Sequence, residues 1–167
     1  MVGIRVLINQ KSHMRTIYLF FTIVILCNSC VNYYDVNYVN NANFDIYYGG
    51  AYGGAFQCYP DTSIFTDSVR GTIQANSYII CASHEPIEDQ IQRYIPSDTL
   101  SIFYFHPDTL KKYTWEEVRQ GYKVLQRYDL SIEDIQKLKN KNDVPEIPYP
   151  PTEAMRNIKM YPPYGSE

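Results

Sequence analysis

Apolar and polar positions alternate differently along this chain, and each pattern predicts its own element. Ile17–Leu26 (IYLFFTIVIL) is an unbroken apolar run of ten residues. Thr99–Phe105 (TLSIFYF) is apolar on both faces of an extended chain, which predicts a central strand ended by His106-Pro107-Asp108. Shorter β-rich runs fall at Asn43–Tyr48, Phe56–Tyr59, Ser63–Phe65 and Tyr78–Cys81, with Pro60-Asp61 as a turn and Gly49–Ala55 as a flexible link. Helical spacing enters later. Thr114 and Glu117 form a capping box ahead of Trp115, Val118 and Tyr122 on one face, and Gly121 weakens any continuation. Lys123–Leu130 reads as a second helix or a short strand, with the strand preferred. Ser131 starts another helix through about Lys139, with Ile132, Ile135 and Leu138 as its buried stripe. Asn140–Pro151 is proline-rich and extended, and Thr152 is expected to cap a last turn through Ile158. Strands first and helices after predict an α+β fold: a small antiparallel β-sheet or sandwich with short helices in the C-terminal half.

The apolar run near the start is too short to cross a membrane, which takes about 20 helical residues. Its length suits the core of a signal peptide, and Arg5, Lys11 and Arg15 supply the positive flank, while no acidic residue precedes Asp35. A start at Met14 would leave a compact leader of the same kind. Leu26-Cys27-Asn28-Ser29-Cys30 then resembles the lipobox of bacterial lipoproteins, with Cys27 where an aliphatic residue is usual. The resemblance implies cleavage before Cys30 and acylation of that cysteine, so that residues 1–29 are a leader. A diacylglycerol plus an amide-linked chain would hold the protein stably, since two chains anchor where one is marginal. Val31 after the cysteine lacks the acidic inner-membrane retention signal, which implies a lipid anchor in the outer membrane, facing the periplasm or the cell surface. Residues 30–42 are expected as a polar tether and 43–167 as a single small β-rich domain with a proline-rich tail.

The 138 residues from Cys30 onward carry all 18 acidic side chains with 12 of the 15 cations, a formal charge of −6 that offers no basic footprint for nucleic acid. Cys58 and Cys81 close a loop of about 24 residues worth roughly 3 kcal/mol if bonded; two separate buried thiols are the alternative. With no second ligand beside either cysteine, zinc is not expected, nor is any other metal or cofactor. His84-Glu85 and His106-Pro107-Asp108 each bring a carboxylate near an imidazole, the minimum for acid–base chemistry, yet exposed turns look the same. No nucleotide-binding, metalloprotease or serine-hydrolase motif is present, and a non-enzymatic protein is expected. Ser68, Thr99 and Thr109 each follow Asp and precede an aliphatic residue, resembling the O-glycosylation sequon of Bacteroidetes-type envelope proteins.

Seventeen tyrosines stand beside one tryptophan. Most are expected in the core. Those near the tether and glycine link (Tyr33, Tyr34, Tyr38, Tyr47, Tyr48, Tyr52 and Tyr59) are the candidates for an exposed aromatic platform. The segments DTLSIFYFHPDTLKKYTWEEVRQGYKVLQRYDLSIEDIQKL and YPPTEAMRNIKMYPP are similar to a set of small uncharacterised Bacteroidetes-type lipoproteins. That resemblance implies an envelope address and no particular chemistry. The expected role is a membrane-anchored accessory or binding protein whose partner is another envelope protein or a glycan; the alternative is a carbohydrate-binding or adhesion module using exposed tyrosines.

Overall fold

The computed structural model describes residues 32–50 and 71–166. Among them are eight strands: β1 (Tyr34–Asn40), β2 (Ile46–Gly50), β3 (Gly71–Ile73), β4 (Ser77–Ser83), β5 (Thr99–Phe105), β6 (Gln126–Ser131), β7 (Glu146–Tyr149) and β8 (Lys159–Tyr161). Four short helices, α1 (Ile87–Tyr94), α2 (Pro107–Lys112), α3 (Trp115–Gln120) and α4 (Ile132–Lys137), and a 3₁₀ turn at Glu153–Met155 complete the unit. The strands form a three-stranded sheet ordered β4-β1-β7 and a five-stranded sheet ordered β3-β2-β5-β6-β8. Every pairing is antiparallel except β1 with β7. The α+β class read from the sequence is the class found. The expected leader, Cys30, Cys58 and Ser68 lie outside the described residues.

β5 is the central strand that its pattern predicted. Leu100, Ile102 and Tyr104 enter the main core with Tyr38 of β1, Ile147 of β7 and Ile87 and Ile91 of α1. Phe103 and Phe105, on the opposite face, pack with Val118 of α3 and with Trp115 and Tyr122 around it. Two tyrosines tie the sheets together: Tyr104 donates a hydrogen bond to the Ile147 carbonyl (3.2 Å) and Tyr128 to the Pro148 carbonyl (2.8 Å). A buried hydroxyl with a partner costs little, so these rings bring large apolar area into the core without an orphaned polar atom.

The expected tether at residues 30–42 is corrected by β1. Its sequence YDVNYVN alternates with period two, and Val36, Tyr38 and Asn40 are buried while Asp35 is exposed. The strand pairs with β4 and β7, which lie far along the chain, so its burial was invisible to local polarity. Asn40 is fully buried and holds the corner: its Nδ2 lies 2.8–3.1 Å from the carbonyls of Phe44, Ile73 and Gln74, and its Oδ1 accepts from the Ala42 N–H.

Both helix starts read from the sequence carry reciprocal caps. The Thr114 hydroxyl accepts from the Glu117 N–H and Glu117 accepts from the Thr114 N–H; Ser131 and Asp134 do the same for α4. Hydrogen bonds from Thr114 hold the Glu117 carboxyl below its ordinary value. α3 stops at Gly121, where a Cβ would sit 2.9 Å from the Glu117 carbonyl. Thr152, expected to cap with its side chain, makes no such hydrogen bond. α1 and α2 had no sequence expectation; α2 follows His106, whose ring accepts from the Asp108 N–H, with Pro107 as its first residue.

Candidate binding groove

An open groove of about 520 Å³ lies where the start of β1, the start of α1 and the α4–β7 connection meet. That is within the range of sites that hold small ligands. The connection is shaped by Asn140, whose side-chain oxygen accepts from the Asn142 and Val144 N–H groups and whose amide donates to Glu146. Asp143 beside it takes a left-handed conformation (φ 63°). The Pro145 carbonyl then accepts from Asn37 of β1 and closes the turn against the sheet.

Tyr33 and Tyr34 form the aromatic wall, 62% and 41% exposed. Tyr33 rests on the His84 ring with centroids 4.9 Å apart. Lys139, also in the lining, bridges Glu88 (2.9 Å) and Asp143 (3.3 Å). The hydrogen bond to Glu88 is the main cause holding the Lys139 ammonium above its ordinary value. Asp35 and Asp89 add two further carboxylates, so four acids surround one cation, with Gln136 and Asn142 as amides. Such a lining accepts hydrogen bonds from hydroxyl or ammonium groups and repels anions, while flat rings pack on apolar ligand faces.

A smaller hollow of about 170 Å³ adjoins the groove through Tyr34 and Ile87. It contains Cys81, which has no disulfide partner among the described residues and whose sulfur lies 3.5 Å from the Tyr48 hydroxyl.

The remaining sequence candidates are dispersed. His84 supports Tyr33, whereas His106 caps α2 and lies against Phe44. Thr99 opens β5 and its hydroxyl donates to the Ser97 carbonyl; Thr109 lies half-buried in the first turn of α2. Among the described residues no group of three or more His, Cys, Asp and Glu is placed to hold a metal, and no helix is long and apolar enough to cross a membrane. Of the tyrosines proposed as a platform, Tyr33 and Tyr34 are exposed, Tyr47 is half-buried, Tyr38 and Tyr48 are core, and Tyr52 and Tyr59 lie outside the described residues.

Sequence reasoning missed a buried ionic network on the second face of the five-stranded sheet. Arg127 and Asp129 of β6 form a paired fork (Nε–Oδ1 and Nη2–Oδ2, both 2.8 Å) with side chains 5% and 4% exposed. Ser101 donates to Asp129 (2.6 Å) and Arg127 donates to the Tyr122 hydroxyl (2.8 Å). Burial opposes the charge on Arg127, but its bonds to Asp129 and Tyr122 prevail and hold the guanidinium above its ordinary value. The available signal was spacing: two opposite charges two residues apart in a strand share one face. No family model, curated protein or solved structure matches the chain.

Proposed function

We propose that this chain is a lipid-anchored envelope protein, fastened through Cys30 at the outer membrane, whose folded unit binds another envelope component without catalysis. The observation that carries the reading is a boundary: the compact unit begins at Tyr33, three residues after the cysteine that the lipobox resemblance marks. Three peptide units span at most about 11 Å. The start of β1, and with it the aromatic wall of the groove, would therefore stand next to the bilayer surface. The resemblance to small Bacteroidetes-type lipoproteins supports the same address. Metabolic labelling with a clickable palmitate, followed by membrane fractionation, tests it. Wild type should carry label in the outer membrane, and Cys30→Ala should lose both label and address. Label retained by Cys30→Ala, or unlabelled wild type in the cytosol, would refute the anchor.

A second reading, carbohydrate binding, is favoured by the groove itself. Tyr33 and Tyr34 offer exposed aromatic faces beside unfilled carboxylate and amide acceptors, a combination suited to neutral or amine-bearing sugars. A glycan array with wild type and Tyr33→Ala/Tyr34→Ala decides it. Binding to uncharged or amino sugars that the double variant loses by at least tenfold supports the reading, and binding the variant retains removes it.

A further inference from the structure

β4 carries an edge that neither the anchor nor the groove explains. It lies at the end of the order β4-β1-β7, so one side of it pairs with no described strand. Its seven residues, SYIICAS, include no charge, proline or glycine, the devices by which edge strands keep other strands away. On its outer face Tyr78 and Ile80 are 58% and 55% exposed, with Ala82 beyond them.

We propose that two copies of this protein pair through β4, antiparallel about a two-fold axis at Ile80, joining two three-stranded sheets into one of six strands. The strand is close to self-complementary in this register. Ser77 meets the partner's Ser83, Ile79 meets the partner's Cys81, and Ile80 meets its own copy. Tyr78 falls opposite the partner's Ala82, a large ring over a single methyl. Ala82 is paired on its other side with Asp35 of β1, whose exposed carboxylate makes no hydrogen bond among the described residues. Two strand spacings of about 4.8 Å separate Tyr78 from the partner's Asp35, within the combined reach of the two side chains. Symmetry supplies that hydroxyl-to-carboxylate bond twice. An unrelated strand would match the free backbone groups equally well but would leave this complementarity unused, which is why a second copy is the occupant.

Two seven-residue edges cover less than the roughly 800 Å² per partner of a standard stable interface, so the contact is weak in free solution. Confinement of both copies to one leaflet raises their effective concentration; this part of the argument rests on the anchor at Cys30.

The full-length chain with its own leader, expressed in bacterial cells, tests the pairing. Ile80→Cys places two thiols across the axis, where directly opposite Cβ atoms lie about 4.5–5.5 Å apart, close to disulfide geometry. Non-reducing gels should show a reducible dimer at least tenfold stronger for Ile80→Cys than for wild type or for Glu116→Cys on exposed α3. Ile80→Arg, which sets two guanidinium groups against each other, should lower the yield of dimer trapped by an amine-reactive crosslinker in intact membranes by a similar factor. Ile80→Cys crosslinking no better than Glu116→Cys overturns the pairing, as does an Ile80→Arg protein that dimerises like wild type. In a Cys30→Ala background, a weakened Ile80→Cys band supports the role of the anchor. An unchanged band removes that role while supporting the pairing.

Discussion

In the five-stranded sheet both faces of β5 are covered: Leu100, Ile102 and Tyr104 look into the main core, and Phe103 and Phe105 pack with Leu110 of α2 and Trp115 and Val118 of α3. The three-stranded sheet covers only its inner face, through Val36, Tyr38 and Ile147, and presents Tyr78 and Ile80 to water on the other. The difference governs where polar and apolar exceptions are tolerated. Under two covers, a charge must be paired, as Arg127 and Asp129 are. On the open face, an unpaired Asp35 and a bare Ile80 both persist, because water solvates the first and an exposed side chain forfeits only its own burial. The two surfaces proposed above for recognition, the groove at the start of β1 and the edge of β4, both belong to the three-stranded sheet.

Breaking the paired charge should have the largest effect. Asp129→Ala leaves Arg127 buried without its carboxylate and should lower unfolding free energy by about 3–5 kcal/mol in urea titrations. Arg127→Met with Asp129→Leu should recover most of that loss. An equivalent deletion on the open sheet, Asp35→Ala, should stay within about 0.5 kcal/mol. Next comes the same residue type in both sheets: Ile102→Ala should cost about 2–5 kcal/mol and Ile80→Ala under about 1, measured on the monomeric state.

Alkaline titration sharpens the contrast from another direction. Burial pushes the Tyr128 hydroxyl far up, and also raises Tyr122 against the opposing pull of Arg127. Both folded values exceed the ordinary value near 10, so the stability they contribute is complete below pH 10 and is lost as pH climbs beyond it. Thermal melting followed by the fluorescence of Trp115, the only tryptophan, should stay level up to pH 9 and fall steeply by pH 11.

Smaller effects test the joints. Ser131→Ala removes the cap of α4 and should cost about 1 kcal/mol. Tyr38 is buried against Tyr48, and its hydroxyl has no hydrogen-bond partner among the described residues. Tyr38→Phe should therefore raise stability by about 0.5–1 kcal/mol, and a loss instead would mean that an ordered water serves that hydroxyl.

Much of the five-stranded sheet was legible in the chain. TLSIFYF has no polar face, so only a doubly covered strand suits it, and the boxes at Thr114 and Ser131 are local geometry. The three-stranded sheet was harder to read. YDVNYVN looks like a polar linker because Asn40 spends its amide on the carbonyls of Phe44, Ile73 and Gln74, partners up to 34 residues away. Of the groove, Tyr33 and Tyr34 were foreseeable as exposed aromatics. Their meeting with Glu88, Lys139 and Asp143 was not, since α1 and the Asn140 turn reach them only through the fold.

By itself, the order of residues determined the α+β class, the central place of β5 and the starts of α3 and α4, because each depends on periodicity or on contacts three residues apart. Tertiary structure alone decided that β1 is core, that β7 runs parallel to it, and that Arg127 and Asp129 are buried. It also decided which tyrosines face water. Those outcomes depend on which distant segments cover a face, and burial by a distant segment leaves no trace in local sequence.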